Sequence, residues 1–354
     1  MKLEDLSLKR LTVHRIFASA KSTSEPFAEE CKEIGRLDNE GMNTLHERIN
    51  TCLNHKTKFF ELTLGDSTAQ SFFAIQKLLF ASSKQTFLKI SQQIADKCAL
   101  AHRGTNAPDG LMLLAEATIN GLQAVIVIKA EKSNAFSVSG TDLQLVKDVF
   151  LSSDKTLYKI GLFLRKDTKN VSPKSYRYYV YDDVFSPYKG KLSAYFYNVF
   201  LGLNADENGK ILTSNLYRSL TNFMHEHIEI GDRYELSRHI DRYLTDPRNV
   251  NLNASDFKYL FPAELEQLFE SVIESEYPSS FVKDESMLKS IDTKRIALTD
   301  QTTLILKNPP HGVVTGRTSN EKDWSKLRAS LDSGANFAFA LIPTLEISDR
   351  QQKR

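Results

Sequence analysis

Hydrophobic and polar positions alternate imperfectly along residues 6–18, LSLKRLTVHRIFA. With its β-branched and aromatic residues, this stretch predicts an N-terminal strand. The period then changes. Leu45, Ile49 and Leu53 recur at four-residue steps, which predicts a helix over 42–54. Residues 67–100 carry Phe72, Phe73, Ile75, Leu78, Leu79, Phe87, Ile90, Ile94 and Leu100, expected as the core stripe of one or two amphipathic helices. A hairpin follows. The apolar runs 111–118 and 122–129 flank Asn120-Gly121, the residue pair preferred where both central turn positions need positive φ. Val125, Ile126, Val127 and Ile128 are continuously apolar, so the second strand is expected inside its sheet. Further strands are predicted at 157–165 and 176–181.

From Lys191 the pattern turns helical. Tyr195, Phe196, Val199 and Phe200 are expected on one helix face, a polar loop over 203–209, and further helices over 212–226, 234–244 and 260–275. The end returns to strand, with a hairpin of 295–298 and 302–307 around Asp300, a further strand at 337–342 and a disordered tail. Hairpin-like pairs without βαβ alternation define an α+β fold with an antiparallel sheet. The expected organisation is a sheet domain with helices over 1–185, a helical domain over 186–285 and a β-hairpin-containing region over 286–354.

Composition narrows the class. The chain of 354 residues is 41% apolar and 25% charged, ordinary for a globular protein. No apolar run reaches the length of a bilayer span, and the N-terminus lacks the apolar core of a secretory signal. Cys31, Cys52 and Cys98 are odd in number and have no metal-like spacing, so reduced thiols in a cytoplasmic protein are expected.

The net charge of +2 hides an uneven distribution. Residues 151–222 hold eleven Lys and Arg against six Asp and Glu, a net of +5, whereas 223–290 hold seven against fourteen, a net of −7. Local basic density is what meets phosphate. Lys174, Arg177, Lys189, Lys191, Lys210 and Arg218 are the candidate nucleic-acid contacts. Tyr176, Tyr178, Tyr179, Tyr181, Tyr188, Tyr195 and Tyr197 lie among them; aromatics can stack on unpaired bases, but packing is the expected role for most of these. Arg317, Lys322, Lys326 and Arg328 near Trp324 form a second, weaker set.

Catalytic and metal motifs fail on spacing. Gly202 and Gly209 are separated by six residues where a phosphate loop needs four, and no Ser or Thr follows Lys210. The same loop begins like a calcium-binding loop, but its twelfth position is Asn215, which cannot supply a bidentate carboxylate. His225 and His227 stand two apart, not the four of a helical zinc pair. Asp182 and Asp183 could begin a metal-dependent nuclease site, which needs further carboxylates converging on them. No cofactor, no metal and no enzymatic activity are expected.

The stretch from Lys189 to Phe223 carries a further inference. A basic Lys-Gly-Lys turn leads to an aromatic helix, then Phe-Leu-Gly, a short Asn/Ala loop, a second helix and a following Phe. This order resembles the bacterial nucleoid-associated protein family (NdpA-like). Weaker agreement includes the first strand, the 111–129 hairpin and the segment ending in LTDQTTLILKNPP. The resemblance implies a cytoplasmic protein at the nucleoid that binds DNA without strong sequence preference. It places Lys189 and Lys191 at the family's basic turn. A homodimer is expected, and the acidic block at 223–290 is the candidate surface for a protein partner. Two alternatives stand beside DNA binding: a protein-interaction or antiphage-defence accessory role, and the nuclease.

Overall fold

The computed structural model describes residues 3–17, 25–65, 70–81, 83–131, 133–139, 142–149, 159–166, 172–185, 192–229, 232–291, 293–297 and 303–307. Among the described residues, those up to Asn208 form one compact unit and those from Gly209 onward a second.

The first unit is built on strands β1 (Ser7–Phe17), β2 (Phe27–Ala28), β3 (Phe59–Leu64), β4 (Gly110–Ile119), β5 (Leu122–Glu131), β8 (Lys159–Arg165), β9 (Tyr176–Asp182) and β10 (Leu203–Asn204). They form one antiparallel sheet in the order β10-β3-β9-β8-β5-β4-β1-β2. A separate hairpin joins β6 (Ser133–Ser139) to β7 (Asp142–Val149). The α+β class with an antiparallel sheet is therefore as the pattern predicts, and β5 lies inside the sheet between β4 and β8. The β4–β5 turn has Asn120 at φ 50° and Gly121 at φ 75°, the two positive values that its sequence requires. The β6–β7 hairpin is absent from the sequence prediction, because its apolar residues are too sparse to separate from loop.

The two faces of the sheet receive different helices. On one, α1 (Asn39–Leu53) lays Leu45, Ile49, Cys52 and Leu53 over Leu113, Ala115, Ile126, Ile128, Ile160 and Leu162. Asp38 starts this helix by accepting from the Gly41 amide at 2.8 Å. On the other, α2 (Gln70–Leu78) and α3 (Lys84–Leu100) pack, with Phe72 of α2 against Phe163, Tyr176 and Tyr178. The apolar stripe over 67–100 is thus two helices, broken before Ser83, whose hydroxyl caps α3 by accepting from the Thr86 amide. Two residues of that stripe leave the core: Phe73 is 44% and Leu100 42% exposed. Each sits on the outer side of its helix, a difference that adjacent apolar letters cannot register.

The second face is completed by a π-helix at Tyr195–Phe200, marked by the Leu201 amide donating to the Phe196 carbonyl at 3.1 Å. The wide turn aligns Phe196 and Phe200 inward and leaves Val199 64% exposed, whereas an α-helical period places all three on one side. Gly161 in β8 permits the approach, since a Cβ there would stand 2.6 Å from Leu201 Cδ1. The 203–209 loop opens with β10, a two-residue edge strand on β3. Its polar side chains serve the chain itself: Asn204 accepts from the Asp206 amide and Asn208 donates to the Glu61 carbonyl.

The second unit is mainly helical. It contains α4 (Gly209–His227), α5 (Arg233–Thr245), α6 (Glu266–Val272) and α7 (Glu285–Ile291), with the short ladder β11 (Asn251–Leu252) to β12 (Phe281–Val282). Leu212, Leu216, Leu220 and Phe223 of α4 meet Leu236, Ile240 and Leu244 of α5 in its core. Phe223, Phe261 and Phe269 pack ring against ring at 5.1–5.4 Å. The helix predicted over 260–275 is interrupted. Only Glu266–Val272 is α-helical, between 3-10 turns at Ala263–Leu265 and Glu274–Glu276. Strands β13 (Thr293–Ala297) and β14 (Thr303–Lys307) pair as the predicted C-terminal hairpin. The strand expected at 337–342, the tail and the Arg317–Arg328 set lie outside the described residues.

Candidate nucleic-acid interface

The alternation of β9 decides the fate of the tyrosines. Tyr176, Tyr178 and Val180 point to the α2 face, while Tyr179 and Tyr181 point to the α1 face. All four tyrosines are at most 5% exposed. The Tyr178 hydroxyl donates to the Pro173 carbonyl at 2.6 Å, and the Tyr179 ring stacks on Phe59 at 5.2 Å. Burial raises the phenol of Tyr179 to about 12 and pushes those of Tyr178 and Tyr181 up as well. These rings are packing, as expected, and offer no face to a base.

The candidate basic residues fall in different settings. Lys189 and Lys191, with Tyr188, lie outside the described residues. Lys174 is exposed in a 3-10 turn at Pro173–Ser175, before β9. Arg177 is held in a fork by Glu61, with Nε donating to Oε1 at 2.7 Å and Nη2 to Oε2 at 2.6 Å. A phosphate would have to displace that bidentate partner. In the second unit, Lys210 opens α4, where burial lowers its pKa against the raising influence of Asp284. Arg218 is half-buried on the same helix, with Nη2 3.4 Å from the Asn215 amide oxygen. The structure thus brings Lys174 and Arg177 to one strand start and places Lys210 and Arg218 on α4.

Asp182 and Asp183 are occupied by cations of the chain itself. Lys159, fully buried, donates to Asp182 Oδ1 at 2.8 Å and to Ser193 Oγ at 2.6 Å. The amides of Val184 and Ser193 donate to the same carboxylate at 3.1 and 2.8 Å. This buried clasp ties together the two ends of the stretch that carries Lys189 and Lys191. Asp183 accepts from Lys58 Nζ at 2.8 Å and from the Tyr181 hydroxyl at 3.0 Å. Among the described residues, no group of three His, Cys, Asp or Glu side chains is placed to hold a metal ion.

The acidic block is also resolved into parts. Glu264, Glu266, Glu270, Glu274 and Glu276 concentrate on the α6 segment, where Lys258 bridges Glu266 and Glu270 at 3.0 and 2.8 Å. The exposed side of α5 carries Arg238, His239 and Arg242 within the same block. A residue count over 223–290 averages the acidic α6 segment with the mixed charges of α5, where Arg238 pairs with Glu235 at 3.5 Å.

The described residues thus form a two-unit α+β chain with a buried lysine–aspartate clasp and dispersed exposed bases. The chain matches the family described as nucleoid-associated protein YejK over residues 13–304 and belongs to that family. No curated protein sequence matches it significantly. Membership gives the chain a nucleoid-associated role in bacteria and a location at the cytoplasmic nucleoid. Among the described residues, no helix is long and apolar enough to cross a membrane.

Proposed function

We propose that this protein binds DNA without enzymatic chemistry and largely without regard to base sequence, acting as a homodimer. The family match over residues 13–304 carries the reading, and the +5 balance of residues 151–222 supports it. Lys189 and Lys191 at the basic turn are the leading phosphate contacts, with exposed Lys174 beside them in the assignment. Arg177, Lys210 and Arg218 are secondary, since each already has a neighbour within the fold. The nuclease alternative loses support from the engagement of Asp182 by Lys159 and of Asp183 by Lys58.

Fluorescence anisotropy with duplex DNA across a salt series tests this directly. Affinity should fall linearly on logarithmic axes with rising salt, as counterions are released from phosphate. The Lys189→Glu/Lys191→Glu protein should bind at least about tenfold more weakly at low salt, with a slope shallower by about two. Unchanged affinity and slope would remove these lysines from the interface.

A protein partner docking on the acidic block is a second reading. It is favoured by Leu268 and Val272, 38% and 46% exposed at a four-residue step on acidic α6.

A further inference from the structure

Exposed aromatic rings lie elsewhere than the tyrosine-rich strand. Phe73 on α2 is 44% exposed, and Phe80, in the tight turn that follows α2, is 50% exposed. Lys77 stands between them, so the three recur at steps of four and three residues on the outer side of the helix and its turn. The Phe80 amide donates to the Lys77 carbonyl at 3.0 Å, which continues the winding through the turn. Beneath this stripe, Phe72 and Gln76 are buried and fix α2 on the sheet.

The Phe80 ring is anchored by a cation. The Arg165 guanidinium lies 5.0 Å from its centroid and is itself held by Gln123 Oε1 at 2.8 Å. Arg165 ends β8 opposite Tyr176, and the Lys166 amide donates to the Ser175 carbonyl at 2.7 Å. That pairing brings Lys166 and Lys174 to the same strand end. Lys77, Lys166 and Lys174 are exposed, and none has a carboxylate partner among the described residues. Unlike Arg177, they need release no acid before meeting an anion.

We propose that this patch holds single-stranded DNA, with unpaired bases stacked on Phe73 and Phe80 and the phosphates met by Lys77, Lys166 and Lys174. The inference rests on the DNA-binding reading and names the form of DNA taken here. Bases of a duplex already stack on their neighbours and present phosphate and sugar outward, which a lysine can meet and an isolated phenylalanine face cannot. Exposed lysines on α2 and at the strand end that carries Arg165 are complementary to a polyanion with accessible base faces. Arg165 is a positioning residue, fixing the tilt of the Phe80 ring rather than meeting the strand.

Binding of oligo-dT and of a duplex of equal length to the full-length protein, at one salt concentration, tests the proposal. Phe73→Ala/Phe80→Ala should lose about tenfold per ring on oligo-dT and leave duplex affinity within about twofold. Phe73→Trp should keep oligo-dT affinity and show quenching of the new tryptophan on oligo-dT addition, above the signal of the single native Trp324. Undiminished oligo-dT binding by the double variant, equal losses on both ligands, or an unquenched tryptophan would overturn the proposal. So would wild-type protein that holds the duplex and not oligo-dT, or that holds oligo-U in preference to oligo-dT; both leave the proposed function standing. Wild-type protein that holds neither form of DNA would overturn both.

Discussion

Replacing Lys159 by Met is expected to destabilise the sheet unit by about 3–5 kcal/mol, because it leaves the Asp182 carboxylate buried without its cation. The side chains of Lys159 and Asp182 are 0% and 2% exposed. Neither charge can turn to water when its partner is removed. For a unit of this size the loss corresponds to a fall in Tm of roughly 10 °C. Lys159→Met/Asp182→Asn should recover at least about half of it. The asparagine is neutral, and its oxygen still accepts from the Val184 or Ser193 amide. Thermal unfolding followed by circular dichroism reads both variants. A single variant within about 1 kcal/mol of wild type would mean that the pair contributes no more than an exposed one. The same clasp joins the ends of the 183–192 stretch. Lys159→Met should therefore also weaken duplex binding at temperatures where the protein remains folded.

Acid should destabilise the protein between pH 6.5 and about 4, through His102. The residue is 1% exposed, its ring meets Tyr195 edge-on at 5.2 Å, and neither ring nitrogen has a hydrogen-bond partner among the described residues. Burial, aided by the nearby Lys129 charge and opposed by Asp109, lowers its pKa from 6.5 to about 4. The unfolded chain thus takes up a proton before the folded one. The neutral ring's contribution is fully present above pH 6.5, declines as pH falls and is lost below about 4. The full shift amounts to roughly 3 kcal/mol, and solvent relaxation around the charged ring trims this to about 2 kcal/mol. His14, facing Ser91 and near Glu29, Gln92 and Asp96, is also lowered by burial and adds in the same direction. His102→Phe keeps the ring contact and removes the titration. Urea midpoints measured from pH 7 to pH 4 should then fall less steeply than in wild type. Parallel profiles would show that His102 does not carry the effect.

Much of the architecture was legible in the chain itself. The 111–129 hairpin was legible because Asn120 and Gly121 tolerate positive φ and the flanking apolar residues keep a strand period. The inner position of β5 followed from its unbroken apolar run. The helical stretches over 212–226 and 234–244 were legible too, and correspond to α4 and α5. The π-helix was not legible, because Tyr195, Phe196, Val199 and Phe200 fit an ordinary helical period and nothing in their order marks the wider turn. The interruptions around α6 were hidden as well, since its apolar spacing fits an uninterrupted helix.

For the interface the division is sharper. The basic middle segment, the Lys-Gly-Lys turn and the family likeness are properties of residue order, and they alone direct attention to DNA. Whether a cation or a ring can meet a ligand depends on what the fold places against it. Pairing of β9 with β3 and β8 puts Glu61 on Arg177 and encloses four tyrosines. Packing of α2 turns Phe72 inward and Phe73 outward, although the two are adjacent in sequence. The chain by itself determined the α+β class, the turn chemistry and the positive middle. Only tertiary packing decided which charges are neutralised and which aromatic faces meet solvent, because exposure and ion pairing are set by residues far apart in sequence.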